Sequence, residues 1–162
     1  MNIDLSDEAL EYGALARKAL ESAGGNDLLQ VSEKEPHRRD NMVAAALAEL
    51  GAWDLDPRRN RDELEAAAAL CRSAGYWAVA YPVAERLCRP PDLDVDGLVV
   101  VADRGPAAAI GGLDLRWAAV TIDGQRSLVA VPSVSGTPRT SAFVANLELE
   151  PVDRVGAEEV AV

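Results

Sequence analysis

The sequence predicts an α+β protein in which an N-terminal all-α helical bundle precedes a small antiparallel β-barrel or sandwich domain. Apolar residues recur at helical spacing through most of the first ninety positions. Pro90 and Pro91 then forbid a continuing helix. Beyond them, short runs of Val, Leu and Ile are separated by turn residues, which is typical of strands. We therefore divide the 162 residues into a helical domain, 1–91, and a β-rich domain, 92–162.

The first helix is predicted to begin after Ser6, a good N-cap residue, with Asp7 and Glu8 placing negative charge in the first turn. Gly24 and Gly25 are expected to end it. Between residues 26 and 35 the pattern is weaker, and it predicts a turn or a small helix.

The next helix is predicted to start at Pro36, which suits a first helical position, and to run to about Leu50 before Gly51. Its first turn carries His37, Arg38 and Arg39, which we expect to form a solvated charge cluster because cations oppose the dipole there, with an anion site as the alternative. In the loop 51–61, Trp53 and Leu55 are expected to pack against the core, with ligand stacking on Trp53 as the alternative.

The segment 62–91 is the boundary between the two patterns. Asp62 is a candidate N-cap with Glu65 three residues on, which resembles a capping box. The helix is predicted to break at Gly75 and to restart at Pro82.

The strands that follow are predicted from β-rich runs and from alternating apolar residues. Asp123-Gly124 is a strong hairpin signal between two of these runs. The predicted strands are Leu98–Ala102, Ala107–Ile110, Trp117–Ile122, Ser127–Val131 and Ala142–Leu149.

Composition excludes several classes of function. The formal charge is −11 and both halves are acidic, which argues against nucleic-acid binding and against adhesion to anionic lipid. Cys71 and Cys88 are the two cysteines and His37 is the one histidine, so a zinc site is not expected. The thiols are expected to be small buried groups in a reducing compartment. No signal-peptide pattern and no membrane-spanning run is present, so we expect a cytoplasmic protein without membrane insertion.

Several stretches, taken in order, resemble the acyl-CoA dehydrogenase family. IDLSDEALEYGALARKAL is similar to its first helix, and LAELGAWDL to a later helix and loop. GYWAVAYPVAERL, behind DELEAAAALCRSA, is similar to the helix pair that closes the N-terminal domain. LELEPVDRVGAEE is similar to the strand and linker that leave the middle β-domain. The resemblance covers nearly the whole chain.

The resemblance implies a flavoprotein that dehydrogenates an acyl-CoA thioester at its α,β bond, with FAD as hydride acceptor. It further implies a homo- or hetero-oligomer and an electron-transfer acceptor. The substrate and the flavin would lie near the junction between Tyr76 and Asp96. WAAVT is similar to a strand that lies against the flavin, which makes Trp117 and Thr121 the implied cofactor-binding residues, with a structural role for Trp117 left open.

The sequence also departs from this family. ADRGP, residues 102–106, stands where the family has a Thr-Glu-Pro-like segment that contacts the flavin. The C-terminal helical domain that supplies the family's catalytic base is not in this sequence, so no catalytic residue is assigned. A non-catalytic subunit or interaction module of such a complex is the alternative, and an unrelated α+β binding domain is a third reading.

Overall fold

The computed structural model describes residues 4–130 and 143–152, and within them it is an α+β fold with its helices first. The α-helices are α1 Asp7–Ser22, α2 Asp27–Lys34, α3 Ala45–Ala48, α4 Arg61–Tyr76 and α5 Val83–Leu87. A π-helical turn, Asp40–Ala44, leads directly into α3, and a 3-10 turn, Ala52–Asp54, follows it. The predicted order of helices before strands is confirmed.

Local signals located most helix ends correctly. The Ser6 hydroxyl accepts a hydrogen bond from the Ala9 amide (3.3 Å), as an N-cap does. Gly25 and Gly51 take left-handed φ values of 52° and 67° where α1 and α3 are expected to stop. The predicted small helix in 26–35 is α2.

The cap of α4 differs from the prediction. It is Asn60 rather than Asp62, because the side-chain oxygen Oδ1 of Asn60 accepts a hydrogen bond from the Glu63 backbone amide at 2.8 Å. Glu63, three residues on, accepts in turn from the Asn60 side-chain amide at 3.1 Å. Asn60 and Glu63 thus take the capping-box places that we gave to Asp62 and Glu65.

The predicted helix break at Gly75 is wrong. α4 continues through Gly75 to Tyr76, and the left-handed residue that turns the chain is Ala78, with φ of 48°. The short helix α5 begins at Val83, with Pro82 as its N-cap. Pro82 was predicted to be the first helical residue, so the helix begins one residue later than predicted. A glycine near a helix end permits a turn without requiring one, and here the turn falls three residues later.

The strands are β1 Gly97–Val101, β2 Ala107–Ala108, β3 Trp117–Thr121, β4 Arg126–Ala130, β5 Ala145–Asn146 and β6 Glu148–Pro151. One sheet has the order β1-β3-β4-β6, and β2 and β5 form a separate two-stranded sheet. The β3–β4 hairpin at Asp123-Gly124 is confirmed, and Gly124 has a φ of 86°.

The four-stranded sheet is mixed and open, so the predicted antiparallel barrel is wrong. β1 pairs parallel with β3, in register from Gly97–Trp117 to Val101–Thr121. The segment 102–116 provides the long connection that a parallel pair needs. Within the described ranges, β1 pairs only with β3 and β6 only with β4, so the two edges do not close on each other.

The predicted last strand is two strands. β5 pairs with β2 and β6 pairs with β4, because Leu147 between them is buried at 6% exposure and its amide bonds to the Pro106 carbonyl instead. The ends of two predicted strands, Val131 and Ala142, lie outside the described residues, as do the loop 133–139 and most of the tail.

One cluster of buried apolar side chains runs through both halves of the chain. It includes Leu20 and Leu47 from the helices, Leu87 from α5, and Val99 and Trp117 from the sheet. Trp53 and Leu55 pack against this cluster, as predicted. The segment 78–96 therefore lies where helices and sheet meet, and the candidate site is built there.

Candidate functional site

Arg39 is the most deeply buried charged side chain in the described residues. It is 1% exposed, which contradicts the predicted solvated cluster; its neighbours His37 and Arg38 are exposed as expected. The π-helical turn begins directly after Arg39, and such turns occur often at functional sites.

The guanidinium group joins three backbone segments. Nε donates to the Pro36 carbonyl (3.1 Å), Nη1 donates to the Ala80 carbonyl (2.7 Å), and Nη2 donates to the Gly111 carbonyl. The group also lies 4.7 Å from the centre of the Phe143 ring. No carboxylate of the described residues forms an ion pair with Arg39, and burial lowers its pKa from the usual value. Three carbonyl dipoles thus replace a counter-ion, and two of the five N–H donors remain.

Tyr81 is the centre of a second polar group beside Arg39. Its hydroxyl donates to the Asp40 carboxylate (2.8 Å) and accepts from Nη1 of Arg86 (2.8 Å). Burial raises the pKa of Tyr81, and the hydrogen bond to Asp40 adds to the rise, so the phenol stays protonated and serves as a donor.

The Arg86 side chain is held by an aromatic ring as well. Its guanidinium lies 4.0 Å from the centre of the Trp53 ring, and the Trp53 indole donates to the Ala44 carbonyl at 3.1 Å. These contacts fix α5 against the π-helical turn. Trp53 is therefore engaged by Arg86 and by the core.

A cleft of about 220 Å³ opens beside Arg39. Val79, Pro82 and Phe143 supply apolar walls, and among the described residues Glu85 is the one carboxylate on its lining. Arg39 and Glu85 bring opposite charges to this cleft, so its lining has no net charge. It can therefore offer hydrogen-bond donors from Arg39 and acceptors from Glu85 to one ligand.

The two residues implied as cofactor-binding lie in the sheet and are not on the lining of this cleft. Trp117 is 2% exposed, and its ring packs against Gly97, where an added Cβ would overlap the indole. The indole N–H has no hydrogen-bond partner in the described residues. The Thr121 hydroxyl bonds within the hairpin, to Asp123 and at 3.3 Å to the Gln125 carbonyl. The contacts described for both side chains are therefore made within the sheet and its hairpin.

No protein-family model, no curated protein and no solved structure matches this chain. The likeness to acyl-CoA dehydrogenases therefore depends on the order of its sequence stretches alone. The assignment of Trp117 and Thr121 to a cofactor stays a prediction.

The two cysteines do not add a reactive group to the site. Cys71 is half-buried, and burial raises the pKa of its thiol, whereas Cys88 is exposed, which contradicts its predicted burial. In the part of the chain that the structure describes, no group of three His, Cys, Asp or Glu residues could hold a metal ion. No described helix is long and apolar enough to cross a bilayer.

Arg39 was predicted to be exposed, and Tyr81 and Glu85 were not predicted from the sequence as site residues. One signal was available: Arg39 lies four residues before Val43, on the apolar stripe of its helix, where a long charged side chain points into the core.

Proposed function

We propose that this chain is a ligand-binding subunit whose cleft at the helix–sheet junction accepts the polar end of a small ligand. The observation that carries this proposal is the buried Arg39, which borders the cleft without a carboxylate partner in the described residues and with two N–H donors to spare. Each guanidinium nitrogen already donates one hydrogen bond, and a ligand acceptor in the cleft would take one of the two remaining N–H groups on Nη1 and Nη2.

The charges of the lining select the chemistry of the ligand. Arg39 requires an acceptor and Glu85 requires a donor, and the cleft as a whole is neutral. An amide or imide edge presents both groups side by side without a charge. The apolar side chains of Val79 and Phe143 on the lining can cover the apolar faces of a planar group of this kind.

The size of the cleft limits how much of a ligand it holds. Ligand pockets usually enclose about 300–1,000 Å³. At about 220 Å³, this cleft accommodates one end group, and the rest of the ligand must contact solvent, another chain or residues outside the described ranges.

The family resemblance gives the proposal a more specific form, in which the ligand is the flavin of FAD and the chain is part of an acyl-CoA dehydrogenase-like enzyme. The ring system of a flavin carries an imide edge, which suits Arg39 and Glu85. The described residues do not fit a whole FAD, because the cleft is too small and Trp117 and Thr121 face elsewhere. Dehydrogenation of an acyl-CoA, transfer to an electron acceptor and oligomer formation would all need a second chain or domain.

The cleft is tested by filling it. Ala109 is exposed on the cleft wall, so Ala109→Phe fills the space without disturbing the core. Ala107→Phe is the matched control, since Ala107 is also exposed and lies two residues away, off the lining. We expect riboflavin or nicotinamide to bind the wild-type chain and the control, and to be lost from Ala109→Phe, in titrations by calorimetry. Equal binding to both variants, or no binding to the wild type, would contradict the proposal.

The dehydrogenase form needs its own test. The full chain is co-purified with a candidate second subunit, and the visible spectrum is recorded before and after addition of an acyl-CoA. Bound flavin that loses its colour with the acyl-CoA supports this form. Nicotinamide binding without flavin uptake would contradict the dehydrogenase form and would leave the proposal of a ligand-binding subunit standing.

A further inference from the structure

A second site lies apart from the cleft, along the seam between α1 and α4. The two helices approach closely at Gly13, where an added Cβ would lie 3.1 Å from the Cβ of Ala69. The Ser73 hydroxyl on α4 donates across the seam to the Gly13 carbonyl (2.7 Å). Beside this seam runs a groove of about 500 Å³, a volume within the usual range for binding sites.

The lining of the groove is apolar at one end and positively charged at the other. Leu5, Leu10 and Ala14 line one end, and Leu10 is 49% exposed. Arg17, Lys18 and Arg72 line the other end. Leu10, Ala14, Arg17, Lys18 and Glu21 follow a helical stripe of about three turns, or roughly 16 Å, on α1.

The three cations form no ion pair within the described residues, although six other described arginines do. In the part of the chain that the structure describes, Glu21 is the one carboxylate on the lining, so the groove has local positive charge on a chain of charge −11. At physiological ionic strength charges beyond about 8 Å are largely screened, so the three nearby cations dominate at the groove surface.

Two aromatic residues near the end of α4 hold Arg17 in place. Its guanidinium lies 4.2 Å from the centre of the Tyr76 ring, and its backbone carbonyl accepts from the Trp77 indole at 2.9 Å. Arg17 is therefore held over the end of α4 by an aromatic ring, beside Arg72. A cation that is ordered before binding loses less entropy on binding.

We propose that the α1–α4 groove binds an acidic amphipathic helix of a partner protein. The partner helix would place apolar residues against Leu5, Leu10 and Ala14, and carboxylates against Arg17, Lys18 and Arg72. A helix laid in a groove between two helices uses anchors at spacings of three and four residues, which matches the stripe on α1. A separate protein is the favoured occupant, because an acidic helix of about three turns matches the length and the local charge of the stripe on α1; dimer formation and adhesion to anionic vesicles are outcomes that the test distinguishes.

The test uses the full chain and fluorescein-labelled helical peptides whose groove-facing side carries apolar residues over one half of the peptide and glutamates over the other half. A scrambled peptide of the same composition is the control. We expect the amphipathic peptide to bind by fluorescence anisotropy and the scrambled peptide to bind about tenfold more weakly. Equal binding of both peptides would mean non-specific attraction, and no binding at all would also overturn the proposal.

Charge reversal locates the site. Arg72 is exposed on α4, so Arg72→Glu keeps the fold, and Arg104→Glu is the matched control on an exposed arginine outside the groove. We expect Arg72→Glu to weaken the peptide by about tenfold, because an attraction becomes a repulsion. Replacing the facing peptide glutamates with lysine should restore binding to Arg72→Glu alone. Equal weakening of peptide binding by the two reversals would overturn the proposal. So would peptide binding that Arg72→Glu leaves unchanged while the chain adheres to anionic vesicles or forms dimers.

Discussion

The Arg39 side chain connects residues that are far apart in the sequence. Its guanidinium bonds to carbonyls of Ala80 and Gly111, which are 41 and 72 positions away along the chain. No local pattern contains those carbonyls, so the sequence around Arg39 predicts an exposed helix start. Only the folded chain shows why this arginine is buried.

Replacing this arginine tests its structural role. Arg39→Met keeps the aliphatic stem and the backbone bond to the Pro36 carbonyl but leaves the Ala80 and Gly111 carbonyls without their donor, and we expect a loss of about 3 kcal/mol in the free energy of unfolding. Arg38→Met is the control, because its exposed pair with Glu35 contributes at most about 1 kcal/mol. Urea denaturation of both variants measures the difference. Similar losses in the two would show that Arg39 has no special role.

Glu65 ties α4 to the start of α1 through its ionised form. Its carboxylate accepts from the Ser6 amide (2.8 Å) and from Nε of Arg61 (2.6 Å). The hydrogen bond from the Ser6 backbone is the main cause that lowers the pKa of Glu65 from 4.5 to about 2, and Arg61 adds to it.

This shift predicts a pH dependence of stability. The unfolded chain takes up the proton of Glu65 near pH 4.5 and the folded chain near pH 2, so the stabilisation is complete above pH 4.5 and is lost as pH falls towards 2. Glu65→Gln should therefore be less stable than the wild type at pH 6, with the difference vanishing near pH 2. Thermal unfolding across this range measures it, with Glu11→Gln as the exposed control on α1. A difference that is constant with pH would contradict the assigned pKa.

At the scale of elements, the predictable features are those set by neighbours in sequence. Ser6, Gly25, Gly51 and the Asp123-Gly124 turn each fix a local backbone shape, and the structure has an element end at each of them. The parallel pairing of β1 with β3 was not predictable, because it depends on the path of the segment 102–116. The division of β5 from β6 likewise depends on which distant strand each one meets.

Alanine substitutions at two glycines, one in α4 and one in β1, are expected to change the free energy of unfolding in opposite directions. A Cβ at Gly97 would overlap the buried Trp117 ring and lie 3.0 Å from the Glu85 carbonyl oxygen, so Gly97→Ala should lower the free energy of unfolding by about 1–3 kcal/mol. A Cβ at Gly75 meets nothing within 4 Å inside a helix, so Gly75→Ala should raise it by about 0.5 kcal/mol. Denaturant titration of both variants decides. A stable Gly97→Ala protein would mean that Trp117 can move, which would strengthen its assignment as a ligand contact.

At the scale of the whole molecule, the two sites draw on different parts of the fold. The cleft uses α5, the π-helical turn and the ends of β2 and β5, and its residues were not recognisable before they were brought together. The groove uses two helices that the sequence predicts well, and two of its three cationic residues, Arg17 and Lys18, lie on one stripe of α1. Neither site was predicted from the sequence, because the total charge of −11 conceals the three local charges on which the groove depends.

The shared core predicts how the molecule unfolds. Leu87 of the helical part packs in the same buried cluster as Val99 and Trp117 of the sheet, and Arg39 bonds across the junction to Gly111. Removing either half would expose this cluster, so we expect one cooperative transition even though the chain has two sequence patterns. The boundary near residue 91 would then separate elements rather than independently stable domains.

A variant with Trp53→Phe and Trp77→Phe retains Trp117 as its one tryptophan, so its fluorescence reports on the sheet while far-ultraviolet circular dichroism reports mainly on the helices. The two signals should follow the same urea curve with the same midpoint, because neither half keeps its core without the other. The comparison is made within one variant, so any loss of stability from the substitutions affects both signals equally. If fluorescence changes at a lower urea concentration while helical signal remains, the sheet unfolds separately, and residues 1–91 are a domain in their own right.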